Sequence, residues 1–486
     1  MQFNSFEFVL LFLPLTVLLY HLANKIHITL GKLVLIAASL VFYAYSDASA
    51  LVFIGVSLAA NYLSVIFMLR ERERSLRLVR AFLIIPLVIN IGLLVYFKYT
   101  GFILSCFNVA LEEGNSIAAL ILPLGISFIT FQQIAYVVSV HRRELESLSF
   151  VDYLAYILYF PKVLMVPLTE PADFISQLNE PTLKKFSADK FAQGVQIFSF
   201  GLFKKVMLAD VFAVAVNSGF LHINTVSSLD LLFVILFYTF EIYFDFSGYS
   251  DMAVGASLML NITLPINFDS PYKALSIRDF WKRWHISLTK FFTKYLYIPL
   301  GGSRKGKLLT YVNTMIVFTV SGLWHGASWS FILWGVLHGL FMVLDRIFEK
   351  QEAKIPKPIR WVCTFALVNV LWLLFRAESV STWLLILKKV FSLSGMYLSL
   401  ELTDIFVLPE APFLAKLLHI GGIIEAVPNF WLYFYTLAAL LLCLIPKNTY
   451  QRREKLSVSS MLLAAVAFAW SILSFGNESL FVYFTF

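Results

Sequence analysis

Apolar runs recur along the whole chain, and many approach the roughly 17–25 residues that a helix needs to cross a bilayer. Polar and charged residues collect between them. The pattern predicts membrane spans at about Phe8–Leu22, Leu33–Tyr45, Leu51–Met68, Ala81–Phe97, Ile117–Val140, Tyr153–Pro167, Phe191–Val216, Leu231–Phe246, Tyr311–Leu323, Phe331–Leu344, Trp361–Leu374, Leu384–Leu400, Phe430–Leu444 and Met461–Leu473. These spans predict an all-α polytopic membrane protein.

The charges between the spans predict an orientation. Basic residues cluster at Arg70–Arg80, at Arg142-Arg143 and at Arg452–Lys455, whereas the loops at Ser46-Asp47 and Glu112-Glu113 carry no Lys or Arg. Because cytoplasmic loops are enriched in Lys and Arg, we expect the basic loops inside and the N-terminus outside. The first residues lack the basic region of a signal peptide, so we expect the first span to be retained.

Composition agrees with a membrane protein. Of 486 residues, 59% are hydrophobic and 14% charged, against about 25% charged in a soluble domain. The net charge of +8 suits positive-inside topology and contact with anionic lipids, and no soluble basic domain is present to bind nucleic acid. No linker or repeat divides the chain, so we predict one membrane domain over residues 1–486, with its motif-bearing core at about 117–345.

The middle of the chain departs from the pattern of spans. Pro265 and Pro271 predict a loop over Asn261–Tyr272, and Ser276–Asp279 is typical of a capping box that opens a helix. On that helix the apolar side chains fall on one face and the polar ones on the opposite face: Trp281, Trp284, Leu288, Phe292 and Tyr295 against Arg283, Ser287, Lys290 and Lys294. We expect one amphipathic helix that lies at an interface or lines a cavity.

The segment Trp324-His325-Gly326, at the end of an apolar run, is the strongest candidate for chemistry. Ionisable residues within membrane segments are costly and are functional candidates by default. An imidazole can take a proton from an alcohol and later return it, which acyl transfer to a hydroxyl requires. The alternative for His325 is a structural histidine that is hydrogen-bonded to a neighbouring helix.

Two further histidines differ in their freedom to meet His325. His338 follows thirteen residues later, which on one regular helix is roughly 220° of rotation and roughly 20 Å of rise. The two could not converge without a break, so we expect His338 in a supporting or structural role. His285 lies on a different element, so helix geometry does not prevent it from lying beside His325.

Two polar groups accompany the histidines. A basic cluster could hold the phosphates of a nucleotide-bearing acyl donor, or could be ordinary charge beside lipid headgroups: Lys282, Arg283, Arg304, Lys305 and Lys307. The stretch Glu241–Asp251 packs carboxylates and hydroxyls at the end of a span, which suits histidine orientation, a proton or ion path, or an inter-helix network; its members are Asp245, Ser247, Tyr249 and Asp251. No metal-ligand cluster stands out.

At these residues the chain resembles the membrane-bound O-acyltransferase (MBOAT) family, and in particular the bacterial branch that O-acetylates alginate and peptidoglycan. The matching stretches are Phe244–Asp251, Phe280–His285, Tyr295–Gly302, Leu323–Gly326 through His338-Gly339, and the flanking Leu122–Phe128, Leu371–Arg376 and Phe481–Phe484. The chain departs from the family pattern at Ser139 and His141 and at Val166-Pro167, which concerns the acceptor or partner surface.

The resemblance implies a fold and a reaction. The fold would be a ring of tilted helices, with re-entrant or amphipathic helices, around a thin central region. His325 matches the family's essential histidine and His285 its second one, with Trp324 and His338 beside them. We expect acetyl transfer from cytoplasmic acetyl-CoA across the bacterial inner membrane, without a bound cofactor. His325 would act as general base or carry the acetyl group itself, and an exported O-acetyltransferase would complete transfer to a cell-surface polysaccharide.

Three other functions stay open at this point. A D-alanyltransferase that acts on teichoic acid would use a carrier protein as donor. A transporter or channel with a histidine–carboxylate proton path would move solute without any acyl donor. A non-catalytic scaffold for the exported enzyme would keep polymer acetylation intact when His325 is replaced.

Overall fold

The computed structural model describes residues 1–48, 50–107, 125–145, 149–163, 167–452 and 456–476. Within these ranges the chain forms helices joined by short connections, and no β-strand occurs there. The predictions at Glu112-Glu113, over Leu122–Leu124, at Val166, at Arg453–Lys455 and at Phe481–Phe484 lie outside the described residues.

The first third of the chain is built from apolar helices that run back and forth. Their bounds are α1 (Leu13–Ile26), α2 (Ile28–Asp47), α3 (Ala50–Arg70), α4 (Leu76–Leu94), α5 (Thr100–Cys106), α6 (Ile126–His141), α7 (Phe150–Leu158), α8 (Phe160–Val163) and α9 (Pro171–Asn179). The π-helical segment Glu7–Phe12 continues directly into α1, and the π-helical segment Val95–Tyr99 connects α4 to α5. Each forms one longer helical unit with its neighbours.

The middle third combines the longest helix with two helices of seven residues. It comprises α10 (Ala188–Phe203), α11 (Asp210–Leu221), α12 (Ser228–Met259), α13 (Ile277–Arg283), α14 (Ile286–Phe292), α15 (Lys307–His325) and α16 (Trp329–Ile347). π-helical segments at Lys204–Ala209 and Thr293–Tyr297 continue α10 and α14. Helix α12, with 32 residues, is buried over most of its length and forms the centre against which α10, α11 and α18 pack.

The last third adds peripheral helices around this centre. They are α17 (Glu349–Glu352), α18 (Lys357–Arg376), α19 (Val380–Phe391), α20 (Leu400–Asp404), α21 (Ala411–Leu417), α22 (Gly421–Ala426), α23 (Phe430–Leu444), α24 (Thr449–Arg452) and α25 (Val458–Leu473).

Six helices in the described part of the chain are long and apolar enough to cross a membrane. They are Glu7–Ile26, Ile28–Ser46, Leu51–Arg70, Leu76–Cys106, Trp329–Ile347 and Lys357–Arg376. Each overlaps a span that the sequence predicts. The expectation of an all-α polytopic membrane protein is therefore confirmed.

Two predicted spans are wrong. The span at Tyr153–Pro167 breaks at Tyr159, between α7 and α8, because Pro161 has no N–H to donate to the carbonyl of Ile157. The span at Leu384–Leu400 ends at Phe391, after which the backbone of Ser394 accepts a hydrogen bond from the N–H of Ser228. Apolar composition alone did not show either interruption.

Two of the three predicted basic loops, at Arg70–Arg80 and at Arg142-Arg143, meet on one side of the molecule, which we call the basic face. Arg72 donates a hydrogen bond of 2.6 Å to the carbonyl of Val140, and Arg143 pairs with Glu73 at 3.7 Å. Lys294, after α14, joins the same face through a 2.8 Å ion pair with Glu144. These two loops, which the sequence places in one compartment, are thus neighbours in space.

Candidate functional site

Helix α15 ends at His325, which lies in an aromatic environment. The side chain is 6% exposed. The centre of its ring is 4.8 Å from that of Trp324, 5.3 Å from Trp334 and 5.2 Å from Phe375. Ser328 then caps the next helix, α16, through a hydrogen bond from the N–H of Phe331. His325 therefore occupies the break between two helices.

Glycines let α15 and α16 approach closely behind this break. A Cβ at Gly322 would collide with the carbonyl of Phe331, and one at Gly335 with the carbonyl of Phe318. Gly335 comes later in α16 than Phe331, and it meets Phe318, which comes earlier in α15 than Gly322. The two helices are therefore antiparallel. The segment between them, including Gly326, is held too tightly against Phe331 to accept a larger residue.

His285 lies at a corner rather than on a helix. Helix α13 ends at Arg283, Trp284 is extended, and His285 adopts a left-handed conformation with φ 46° before α14 begins. The predicted single amphipathic helix is therefore wrong, although Ser276 caps α13 as expected, by accepting a hydrogen bond from the N–H of Asp279. The corner turns His285 inward, where it is 1% exposed.

Asn267 fixes the ring of His285. Its Oδ1 accepts hydrogen bonds from the N–H and the hydroxyl of Ser287, at 3.2 and 3.0 Å, and lies 3.3 Å from Nδ1 of His285. Because Oδ1 is an acceptor, Nδ1 carries the proton of a neutral His285. Its Nε2 then has a lone pair, which no described residue contacts by a hydrogen bond.

His338 lies on α16, fully buried, and accepts a hydrogen bond. Nε1 of Trp281 donates to its Nδ1 at 3.1 Å, so a neutral His338 carries its proton on Nε2. The rings of His338 and Trp334 are 4.6 Å apart. The chain breaks between α15 and α16, so the separation expected on one regular helix does not apply to His325 and His338, and the supporting role of His338 stays a prediction.

The three histidines converge around a cluster of tryptophans. Trp284 packs on Trp372 at 4.8 Å, Trp372 on Trp334 at 6.0 Å, and Trp334 on His325 at 5.3 Å. Trp334 also lies 4.6 Å from His338, and His285 directly follows Trp284 in the chain. The structure thus brings together the residues that the sequence places on three separate elements.

Lys98 is a functional candidate that the sequence analysis missed. Its ammonium donates 2.8 Å hydrogen bonds to the carbonyls of Trp324 and His325, and the hydroxyl of Tyr99 donates at 2.7 Å to the carbonyl of Leu323. The predicted fourth span stopped at Phe97, so Lys98 lay outside it and was not among the candidate residues. Its position within the helical unit Leu76–Cys106 was the available signal.

The acidic residues of α12 face two lysines of the adjacent π-helical segment. Lys205 contacts Asp245 at 2.7 Å and Asp210 at 2.8 Å, and Lys204 contacts Asp251 at 2.6 Å. We call these five residues the lysine–aspartate cluster. Of the other predicted network members, Tyr249 stacks on Phe3 at 4.8 Å, and Ser247 lines a small cavity beside Asn267.

The predicted basic cluster is spread over the surface. Lys282 lines a cavity of about 260 Å³ together with Arg278 and Arg346, and this cavity reaches Ser321, one turn before His325. Arg283 forms a 2.8 Å ion pair with Asp279. Exposed residues that do not line the cavity complete the set: Arg304, Lys305 and Lys307.

A second, narrower cavity of about 100 Å³ lies on the other side of α14. Glu170 and Lys290 line it together with Ser287, the neighbour of Asn267. Gln132, also in its wall, is 1% exposed, and neither of its amide atoms has a hydrogen-bond partner among the described residues. Nothing in the sequence singled out Gln132.

Taken together, the apolar helices define a polytopic membrane protein, and three buried histidines lie among its tryptophans. The sequence profile of MBOAT, the membrane-bound O-acyltransferase family, matches residues 94–380. The chain belongs to this family, and it is an O-acyltransferase.

The relatives agree with the family. The chain is 34% identical to a peptidoglycan O-acetyltransferase of Helicobacter pylori, over 100% of this chain and 97% of the relative. It is 36% identical to a probable alginate O-acetylase AlgI of Azotobacter vinelandii, over 82% of this chain and 80% of the relative. A teichoic acid D-alanyltransferase of Streptococcus thermophilus is 27% identical over 50% of this chain and 61% of the relative.

Proposed function

We propose that the protein moves an acetyl group from acetyl-CoA, on the cytoplasmic side of the bacterial inner membrane, to a hydroxyl of an extracytoplasmic polysaccharide such as alginate or peptidoglycan. The observation that carries the proposal is the buried His325, in a chain that is similar along its whole length to a protein named as a peptidoglycan O-acetyltransferase. The basic face would be cytoplasmic, because cytoplasmic loops are enriched in Lys and Arg.

The chemistry needs one proton to be taken up and returned. As general base, His325 removes the proton of the attacking hydroxyl, whose oxygen bonds to the thioester carbonyl carbon. The carbon–sulfur bond then breaks, and the proton passes from His325 to the leaving sulfur. In the alternative, a ring nitrogen of His325 attacks the thioester carbonyl carbon, the carbon–sulfur bond breaks, and the sulfur leaves as a thiol with the proton of the other ring nitrogen. The hydroxyl oxygen then attacks the acetyl group on His325, the carbon–nitrogen bond breaks, and the hydroxyl proton returns to the ring. His285, oriented by Asn267, would steer or contact the donor in both cases.

The wider cavity would admit the donor. Lys282, Arg278 and Arg346 give its wall positive charge, and Ser321 brings its inner end within one turn of His325. Phosphates of acetyl-CoA would bind these cations and the outer residues of the predicted basic cluster, Arg283, Arg304, Lys305 and Lys307. The donor is a substrate, and the proposal includes no bound cofactor.

An exported transferase would complete the transfer to the polymer. The start of α12 contacts Tyr397 and Ser394, and the segment that follows these two residues forms only the short helices α20, α21 and α22. Helices of this length do not form a separate domain that could bind a polysaccharide chain. A separate enzyme that collects the acetyl group is therefore part of the proposal.

The test is reconstitution of the full chain in vesicles with labelled acetyl-CoA. His325→Ala is expected to lower label transfer about 10²–10⁴-fold, which is the usual contribution of a general base, and His285→Ala to lower it less. His419→Ala, at an exposed histidine, is the matched control and should behave as wild type. Unchanged label release in both His325→Ala and His285→Ala would refute the mechanism.

A second variant pair tests the donor's route. Lys282→Glu should raise KM for acetyl-CoA about tenfold or more, since a charged hydrogen bond is worth about 1.5–3 kcal/mol. Lys290→Glu, an exposed lysine of α14 that lines the narrower cavity, is the matched control. A larger KM effect from Lys290→Glu would assign the donor to the narrower cavity instead.

D-alanyl transfer is the alternative that the relatives favour next. The teichoic acid D-alanyltransferases match only half of this chain, at 27% and 28% identity. A purified protein that ignores acetyl-CoA, and turns over only with a D-alanyl-loaded carrier protein, would establish this alternative.

A further inference from the structure

The last turn of α15 is fixed from outside by another membrane span. The last four carbonyls of a helix have no partner within the helix. Here the N–H of Gly326 donates to the carbonyl of Gly322 at 3.4 Å. The carbonyl of Leu323 accepts from Tyr99, and the carbonyls of Trp324 and His325 accept from Lys98. All four terminal carbonyls are therefore satisfied, three of them by two neighbouring side chains.

A local departure from α-helix accompanies this contact. Lys98 and Tyr99 end the π-helical segment Val95–Tyr99, between α4 and α5. Side chains of consecutive residues on a regular helix point about 100° apart, yet both reach the same turn of α15. π-helical turns inside longer helices occur frequently at functional sites.

Several interactions hold the ammonium group of Lys98 at the end of α15. A cation at a helix C-terminus interacts favourably with the helix dipole, and its hydrogen bonds are charge-assisted. The ammonium also lies 5.9 Å from the centre of the Trp324 ring. In the described part of the chain, Lys98 forms no ion pair with a carboxylate, so the carbonyls of α15 are its principal partners.

We propose that Lys98 is a positioning residue for His325. Its ammonium holds the backbone of Trp324 and His325, and so keeps the imidazole in its reactive position at the end of α15. The inference deepens the proposed function, because it concerns the residue on which acetyl transfer rests. Tyr99 assists through a neutral hydrogen bond one residue earlier on α15 and contributes less.

The kinetic test compares variants of the full chain in vesicles. Lys98→Met keeps the length of the side chain and removes its hydrogen bonds, and it should lower kcat about 100-fold, because a misplaced catalytic group loses rate to this extent. KM for acetyl-CoA should stay within about twofold, since donor binding is untouched. Lys98→Arg should recover most of kcat, and Tyr99→Phe should lose less than Lys98→Met.

A second readout does not depend on the donor. Amide hydrogen exchange over residues 322–327 should be faster in Lys98→Met than in wild type, because the last turn of α15 loses two hydrogen bonds. If wild type fails to use acetyl-CoA, the proposed function is wrong, and exchange still decides the role of Lys98. Unchanged exchange, or kcat per folded molecule within about twofold of wild type, would overturn the inference. If Lys98→Met does not give folded protein, the same two measurements are made on Lys98→Gln.

Discussion

The histidine site and the centre of the lysine–aspartate cluster, Lys205 with Asp245, are both buried, but they differ in how their polar atoms are partnered. In the cluster, Lys205 is 2% exposed and contacts two carboxylates, Asp210 and Asp245, at 2.8 Å or less. At the histidine site, Nε2 of His285 and Nε2 of His338 have no hydrogen-bond partner among the described residues, and the same holds for Nε1 of Trp324 and Trp334.

This difference suits a structural role for the lysine–aspartate cluster and the proposed catalytic role for the histidine site. Buried polar groups are normally hydrogen-bonded, because leaving one unmatched costs about 1–3 kcal/mol. A cluster in which each charge faces an opposite charge fixes the arrangement of α10, α11 and α12. The Nε2 atoms of His285 and His338 have no hydrogen-bond partner among the described residues and would be available to a substrate. Variants of the cluster should therefore change stability, and variants of the site should change activity.

The largest effect on stability is expected for Lys205→Met. It leaves the buried Asp245 and the partly exposed Asp210 without their cation, and breaking a buried pair such as Lys205–Asp245 costs about 3–5 kcal/mol. Thermal unfolding of the purified protein in detergent should show the loss, while kcat per folded molecule stays near that of wild type. Lys204→Met is the matched control and should cost less, because Lys204 and Asp251 are both 19% exposed. Equal losses in the two variants would contradict the assignment.

A smaller effect is expected at the support of His285. Asn267→Ala removes the oxygen that fixes Nδ1 of His285, and one hydrogen bond of about 1–1.5 kcal/mol corresponds to about tenfold in rate. The initial rate of acetyl transfer measures it. Ser287→Ala also loses a hydrogen bond to Asn267 but leaves the contact with His285, so its rate should stay closer to wild type. A Ser287→Ala variant as slow as Asn267→Ala would show that this support is not specific to His285.

The smallest effect is expected at the basic face, where Lys294 bridges Glu144 and Glu170 at 2.8 Å. Burial alone would raise the pKa of the Glu144 carboxyl, but hydrogen bonds from Lys294 and Ser139 outweigh it and the pKa is lowered. Burial alone would lower the pKa of Lys294, but its two carboxylate partners raise it. Lys294→Met should cost about 1 kcal/mol or less at neutral pH, because both partners are partly exposed.

The pH dependence of this bridge follows from the two directions. A carboxyl with a lowered pKa stabilises the fold above its unfolded pKa, and this contribution is lost as pH falls through the folded value. The contribution of Lys294 is lost only as pH rises through its raised value. The difference in unfolding temperature between Lys294→Met and wild type should therefore be constant around neutrality and shrink in acid. A difference that grows in acid would contradict the ion-pair account.

Local sequence signals predicted much of this molecule. The spans α1 to α4, the cap at Ser276 and the end of α15 at His325 follow from hydrophobic runs, capping residues and glycine. What the sequence could not show depends on contacts through space. The corner at His285 requires a left-handed residue that no composition signals, and Lys98 meets His325 only because two distant helices pack together. Asn267 is a further residue of this kind.

The left-handed backbone of His285 has a consequence for protein engineering. A non-glycine residue with such a conformation destabilises the fold by about 1–3 kcal/mol, and His285 holds φ 46° while buried. Glycine adopts this conformation freely, and asparagine tolerates it better than most residues. A screen that selects only for heat resistance would accordingly enrich substitutions at position 285 and discard acetyl transfer. Screens on this protein should therefore score turnover alongside survival.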